Sequence, residues 1–147
     1  MSLKDKLMQD LKESMKNKDT LRKDIIQIVR AGVLQIEKDE QITLDDDGVL
    51  QVIIKEAKKK NDVYPDYEKS GRTDLLEELK RQQSILNEYL PEQFTDDELN
   101  NIVKETIVEL GVSSMKDMGY VMMTLEPKTS GKADGKRVST AVKAILS

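Results

Sequence analysis

The sequence predicts an all-α protein with a four-helix N-terminal region followed by a small C-terminal three-helix bundle. Two features of the composition favour helices, since 35% of the residues are charged while only 3% are aromatic, which suits exposed helical faces better than sheets. A third is periodicity, because apolar residues recur three and four positions apart along most of the chain. The 147 residues, 37% of them apolar, are enough for one ordinary domain or two small ones.

The first two helices are predicted from apolar spacing. Apolar residues at every fourth position from Leu3 to Met15 predict a first helix that ends near Asn17. A longer second helix follows from Leu21 and carries Gly32 on its apolar face. Since glycine costs about 1 kcal/mol relative to alanine inside a helix, we interpret Gly32 as a point where a neighbouring helix approaches closely.

Three consecutive aspartates at positions 45–47 precede the third helix. Together with Gly48 they resemble the middle of a calcium-binding loop, but the aligned loop would begin at Thr43 and end at Ile54, where acidic residues are required. The favoured interpretation is helix capping, with acidic groups at the positive end of the helix dipole.

Proline and glycine mark the later part of the N-terminal region. Pro65 lies inside the helical pattern of the third helix, and proline removes one hydrogen bond and clashes with the carbonyl four residues earlier. We therefore expect the third helix to kink or restart at residues 61–65. Gly71 predicts the end of the third helix. The fourth helix is predicted to start at Arg72 or Thr73 and to end at Pro91.

We place the domain boundary after Gln93, which gives an N-terminal helical domain at residues 1–93 and a C-terminal domain at residues 94–147. The C-terminal domain contains three short apolar-periodic segments, each with a start signal and the first two with a stop signal, and the first start signal is a capping box. These signals are Thr95 and Glu98 with Gly111, then Ser113 or Ser114 with Pro127, and finally Asp134 before the last segment.

The charge of the C-terminal domain is divided along the chain. Residues 127–147 carry five Lys or Arg against one Asp, whereas residues 94–126 carry two Lys against seven acids. Because the whole chain has a net charge of −4, any contact with nucleic acid must come from a local basic patch. The candidate RNA-binding residues are Lys128, Lys132, Gly135, Lys136, Arg137 and Lys143, together with Lys55, Lys58 and Lys59 of the third helix. The alternative for the third-helix lysines is a solvated charged face.

The basic segment contains the loop GKADGK at residues 131–136, which resembles a nucleotide-binding P-loop only in part. A P-loop needs a glycine where this chain has Ser130 and a hydroxyl where it has Arg137, and no strand precedes the loop. Glycine-exposed amides, a helix N-terminus and neighbouring cations could still hold a phosphate. A helix cap with solvated charges is an equal alternative.

The chain contains neither histidine nor cysteine. It therefore lacks the usual general base near neutral pH, the commonest transition-metal ligands, a thiol nucleophile and disulfides. A Ser-x-x-Lys pattern ends at Lys116 but lacks the companion elements of acyl enzymes, so its serine is interpreted as a helix cap. We expect no catalytic residue, no cofactor and no metal.

Two further features bear on partners and location. No segment reaches about 18 uninterrupted apolar residues and the N-terminus lacks the apolar core of a signal peptide, so we expect a cytoplasmic protein without a membrane partner. Four methionines at helical spacing could form a groove for a protein partner, although such methionines usually fill a core. They are Met115, Met118, Met122 and Met123.

Four segments, in order, resemble the GatB/YqeY family, and within it the YqeY branch. They are EKSGRTDLL at residues 68–76, LNEYLPEQ at 86–93, DEL at 97–99 and GKADGKRVS at 131–139 with Val142 and Lys143. The resemblance spans nearly the whole chain, and the ordered combination is far more specific than any single segment. Pro65 departs from the unbroken third helix that the family pattern would have.

The resemblance implies a helical N-terminal region and a compact C-terminal domain related to the tail of the GatB subunit of tRNA-dependent amidotransferases, and more distantly to an appended domain of some glutaminyl-tRNA synthetases. In those enzymes the domain is associated with tRNA binding. The kinship is to carbon–nitrogen ligases with glutamine as amido donor, but this chain lacks a recognisable ATP site, a glutaminase nucleophile and a catalytic amidotransferase domain. Our hypothesis is a non-catalytic module that binds tRNA or another structured RNA and assists tRNA-dependent amidation. The alternatives are a protein-interaction adaptor and, third, a component of a glutamine-dependent ligase.

Overall fold

The computed structural model describes residues 1–147, and its regular structure is entirely helical, which confirms the all-α fold class. The helices are α1 (Leu3–Lys16), α2 (Thr20–Glu40), α3 (Asp46–Ser70), α4 (Thr73–Asn87), α5 (Asp96–Leu110), α6 (Met118–Thr129) and α7 (Gly135–Leu146), with a 3₁₀ turn (Met115–Asp117) before α6. No helix combines the length and the apolar character needed to cross a membrane.

The chain forms two compact units, each with its own apolar core. The N-terminal unit, Met1–Leu90, contains α1 to α4, and the C-terminal unit, Pro91–Ser147, contains α5 to α7. The domain boundary placed after Gln93 from the sequence stays a prediction.

The N-terminal core draws one fully buried aliphatic side chain from each of its four helices. Leu7 of α1, Ile26 of α2, Ile53 of α3 and Leu86 of α4 are all 1% exposed or less. The apolar residues whose spacing predicted these helices therefore line one shared core. Burial of each such side chain contributes about 1.5–3 kcal/mol to stability.

Gly32 marks a close approach between α2 and α3. A Cβ atom added at Gly32 would lie 3.0 Å from Cγ1 of Val52, which is tighter than ordinary van der Waals contact. The interpretation of Gly32 as a packing position is confirmed.

The helix starts follow the predicted capping chemistry. Asp45 caps α3 by accepting a hydrogen bond from the backbone N–H of Gly48 at 2.9 Å. Thr95 and Glu98 form a reciprocal capping box at α5, and Ser114 caps the 3₁₀ turn that leads into α6. These caps are set by residues within three positions of each other, so local sequence predicts them well.

The expectation at Pro127 is wrong, and the expectation at Pro65 is wrong in one of its two alternatives. The third helix does not restart near Pro65, because α3 continues from Asp46 to Ser70, and Pro127 does not end α6, which runs on to Thr129. Proline's fixed φ is compatible with a helix, so the direct loss is one hydrogen bond and local crowding. After Pro127, the N–H of Ser130 donates to the Glu126 carbonyl at 2.9 Å, and helical bonding resumes. A kink at Pro65 stays a prediction.

Polar contacts hold the end of α4 against α1 and α2. Arg22 forms a bidentate pair with Glu88, and the Tyr89 hydroxyl donates to the carboxylate of Asp10. A small cleft of about 200 Å³ lies among these groups, and a shallow hollow of about 420 Å³ lies near Lys4 and the aspartates at the start of α3. Neither contains a predicted site residue.

The close approach at Gly32 predicts a large stability cost for a bulky side chain. We expect Gly32→Leu to lower the free energy of unfolding by about 1–3 kcal/mol, because the new atoms would overpack the contact with Val52. The matched control is Ala31→Leu, an exposed position next to it on α2, which should change stability by no more than about 0.5 kcal/mol. Urea denaturation measures both, and equal effects would contradict the packing interpretation.

The environment of Tyr89 predicts a pH dependence. Partial burial and the hydrogen bond to Asp10 raise the pKa of the Tyr89 phenol above its usual value of 10. The unfolded chain then loses the phenolic proton first, so the free energy of unfolding falls as pH rises above about 10. Tyr89→Phe should show a shallower fall between about pH 9 and 11 than wild type in urea denaturation. The exposed Tyr120→Phe variant should follow wild type, and parallel curves for all three proteins would refute the assignment.

Candidate nucleic-acid interface

The predicted basic loop lies between the end of α6 and the start of α7. The N–H groups of Lys132 and Ala133 both donate to the Thr129 carbonyl, at 2.9 and 3.0 Å, while Gly131 adopts a φ of +77°, where glycine is favoured. Asp134 then caps α7 by accepting from the Arg137 N–H at 2.8 Å. The loop is therefore a tight turn between two helices, and the predicted cap at Asp134 is confirmed.

The segment before α5 braces this loop through hydrogen bonds that are long-range in sequence. The N–H of Phe94 donates to the Lys132 carbonyl at 2.8 Å, and the Gln93 side chain donates to the Gly131 carbonyl at 2.7 Å. In the opposite direction, Arg137 donates to the Phe94 carbonyl at 2.7 Å. Ala133 is buried below this junction. These contacts fix the loop backbone in one conformation.

Three of the predicted cations in this unit project from the loop and from α7 without an acidic partner. Lys132 is exposed, with its Nζ 5.3 Å from the centre of the Phe94 ring. Lys136 and Lys143 are exposed and seven positions apart, so with Thr140 between them they lie on one stripe of α7. No salt bridge involves any of the three lysines.

The remaining two predicted cations of the C-terminal unit have structural partners. The Nζ of Lys128 donates to the Thr106 hydroxyl at 3.1 Å and lies 3.4 Å from a carboxylate oxygen of Glu109, which links α6 to α5. Arg137 pairs with Asp96 at 3.0 Å in addition to its bond to the Phe94 carbonyl. Sequence alone did not distinguish these two cations from the unpaired lysines.

Gly135 is the first residue of α7 and is exposed. A Cβ atom there would meet nothing within 4 Å, and its φ is not in the left-handed region, so the fold does not require glycine at this position. The carboxylate of Asp134 occupies this end of α7, where it accepts from the Arg137 N–H, so the N-terminus of α7 is already capped by an acid.

The other predicted patch lies on α3 of the N-terminal unit. Lys55, Lys58 and Lys59 are exposed and share one helix face, at spacings of three and four positions. Lys59 forms a local pair with Glu56 at 3.1 Å, whereas Lys55 and Lys58 have no such partner. The structure contains no group of three or more acidic side chains arranged to hold a metal ion.

The helices of the C-terminal unit differ in the charge of their outer residues. The exposed residues of α7 include Lys136 and Lys143 and no acid, whereas the charged exposed residues of α5 are five acids and a single lysine, Lys104. The charge division seen along the sequence is thus a division between helices of one compact unit.

The family model described as Yqey-like protein matches residues 4–146. The chain belongs to the YqeY-like family. The family match covers the elements of both units, including the braced loop and α7. A curated relative of this YqeY-like chain is "Altered inheritance of mitochondria protein 41, mitochondrial" of Candida glabrata, which is 30% identical over 88 residues. That alignment covers 58% of this chain and 48% of the relative, so the chain matches about half of the relative's length.

The bonds made by Arg137 predict that it stabilises the C-terminal unit. We expect Arg137→Ala to destabilise this unit by about 1–3 kcal/mol, because it removes a charge-assisted bond to the Phe94 carbonyl and the pair with Asp96. The neighbouring Lys136→Ala should change stability by no more than about 0.5 kcal/mol, since that side chain is exposed and unpaired. Amide hydrogen exchange of the full chain at the Phe94 N–H measures the loss of local stability in both variants. Exchange unchanged by Arg137→Ala would show that the guanidinium does not brace the loop.

Proposed function

We propose that this YqeY-like chain is a non-catalytic module that binds tRNA or another structured RNA through the phosphate backbone and assists tRNA-dependent amidation. The single observation that supports it most is the set of unpaired lysines on the braced loop and along the helix that follows it, namely Lys132, Lys136 and Lys143. A loop held in place before binding loses little conformational entropy when a phosphate arrives. The choice of tRNA rests on the resemblance to the GatB tail.

Phosphate contact is favoured over base recognition by what surrounds the lysines. The aromatic ring that contacts Lys132 is Phe94, which is partly buried against the core of the unit. An aromatic platform for stacked bases is therefore missing beside the loop. Lysine is a compact point charge that suits phosphate oxygens, and such contacts position a protein on RNA without reading its sequence.

The patch of Lys55, Lys58 and Lys59 on α3 is a second candidate contact in the same proposal. Lys55 and Lys58 are exposed and unpaired, so they offer two further positive charges. Lys128 and Arg137 have a lesser role in RNA binding, because their charges are already partly neutralised by Glu109 and Asp96. The proposal places the chain in the cytoplasm, whereas the name of the relative places that protein in mitochondria.

Titration of labelled tRNA at several salt concentrations tests the lysines individually. We expect Lys132→Gln, Lys136→Gln and Lys143→Gln each to weaken binding about 5- to 10-fold near 0.1 M salt, because each removes one phosphate contact. The slope of log affinity against log salt should become shallower by about one for each substitution. Fluorescence anisotropy with the full-length chain measures both quantities.

The matched control for this titration is Lys104→Gln, which removes one exposed lysine from the acidic α5 of the same unit. It should leave the affinity and the salt slope unchanged, and a loss equal to that of Lys136→Gln would mean that only net charge matters. If wild type and the three variants bind alike, the loop has no part in RNA binding. Partners that a pull-down retains after nuclease treatment would favour a protein-interaction adaptor instead.

A further inference from the structure

α6 is apolar on both its inner and its outer sides. Val121 and Leu125 face the core and are fully buried, yet Tyr120 and Met123 are 52% and 69% exposed on the other side. The exposed Pro127 extends this outer apolar strip by one turn. The same outer side carries the charged residues Glu126 and Lys128, so α6 has apolar residues on two sides without being apolar all round. The outer apolar residues of α6 have no cover within the C-terminal unit.

Gly119 is the exposed second residue of α6, beside this outer strip, and has no intramolecular reason to be glycine. Its φ is not in the left-handed region, and a Cβ added there would meet nothing within 4 Å. Glycine costs about 1 kcal/mol relative to alanine in a helix, so the chain loses stability at this position without a packing gain of its own. The missing side chain leaves a gap one turn away from the exposed Met123.

Two charged residues, Lys116 and Glu126, stand at the ends of a regularly spaced row of four residues, which we call the seam. Lys116, Gly119, Met123 and Glu126 follow each other at intervals of three, four and three residues, which is the spacing of the contact positions in paired helices. Lys116 lies in the 3₁₀ turn that continues directly into α6. Lys116 and Glu126 are both exposed, and neither takes part in a salt bridge within the chain.

We propose that this seam binds the same seam of a second copy of the chain, with the two α6 helices antiparallel. Antiparallel pairing sets Met123 of each copy against the gap at Gly119 of the other, and Lys116 of each copy against Glu126 of the other. Both contacts then occur twice, as two-fold symmetry requires. Parallel pairing would instead place like charges together at each end. The seam is thus complementary in shape and in charge to its own copy.

The expected dimer is weak because the contact is small. α6 has 12 residues and is about 18 Å long, so its outer face covers much less than the roughly 800 Å² per partner of a standard stable interface. Association should therefore depend on protein concentration, with a dissociation constant on the order of 0.1 mM. A constitutive dimer is not expected from this surface.

Sedimentation equilibrium of the full-length chain between about 10 μM and 1 mM tests self-association. Wild type should move from monomer towards dimer across this range, and Met123→Lys should stay monomeric. Val108→Lys is the matched control, because Val108 is 79% exposed on α5 outside the seam, and this variant should dimerise like wild type. Circular dichroism confirms that each variant keeps its helix content. The proposal would be overturned if wild type stayed monomeric over the whole range, or if Met123→Lys and Val108→Lys lost dimerisation equally.

Reversing the charge at Lys116 or at Glu126, the two ends of the seam, tests the antiparallel arrangement. Lys116→Glu and Glu126→Lys should each dimerise at least about 5-fold more weakly than wild type, since both end pairs then join like charges. An equimolar mixture of these two variants should regain dimerisation, because each end pair again joins opposite charges. Failure of the mixture to associate better than either variant alone would rule out the antiparallel pairing.

Discussion

The C-terminal unit depends on the hydrogen bonds between residues 91–96 and the loop before α7. The loop spans only residues 130–134 and contributes a single buried side chain, Ala133, so apolar packing cannot hold it alone. The N–H of Phe94 and the side-chain amide of Gln93 donate to the loop from a segment about 40 positions away, and Arg137 of α7 donates back to the Phe94 carbonyl. They join the first residues of the unit to the loop and to the start of α7, while four buried apolar residues hold the rest of α7 against the core, namely Val138, Ala141, Val142 and Leu146.

Features set by neighbouring residues could be predicted from the sequence. The caps at Asp45, Thr95 and Asp134 need a side chain and an amide three positions apart, and the helical faces need apolar residues three or four apart. Gly32 could be interpreted because a glycine weakens a long apolar face unless a second helix packs closely against it. A restart at Pro65 and a helix end at Pro127 were expected, but both helices continue past these prolines. The energetic cost of a proline in a helix is local, and the helical hydrogen bonds and packing beyond it outweigh that cost.

The candidate site could be predicted only in part. Composition identifies where positive charge accumulates, but not which cations already have partners. Lys128 is paired with a residue 19 positions away and Arg137 with one 41 positions away, and no periodic pattern reports contacts of that kind. The methionines show the same limit, since Met118 and Met122 pack against the core while Met115 and Met123 are exposed. Only the fold distinguishes the two methionines that fill the core from the two on the surface.

The division of charge between α5 and α7 gives the C-terminal unit a permanent electric moment that does not depend on its net charge. The electric field of a polyanion orients such a unit before contact, so that α7 with its lysines faces the polyanion and the acidic α5 faces away from it. Orientation of this kind acts on the rate of productive encounter rather than on the strength of the final complex. It extends over roughly a Debye length, about 8 Å at physiological ionic strength, and fades as salt is added. A chain that is acidic overall can thus still approach a polyanion with its basic side first.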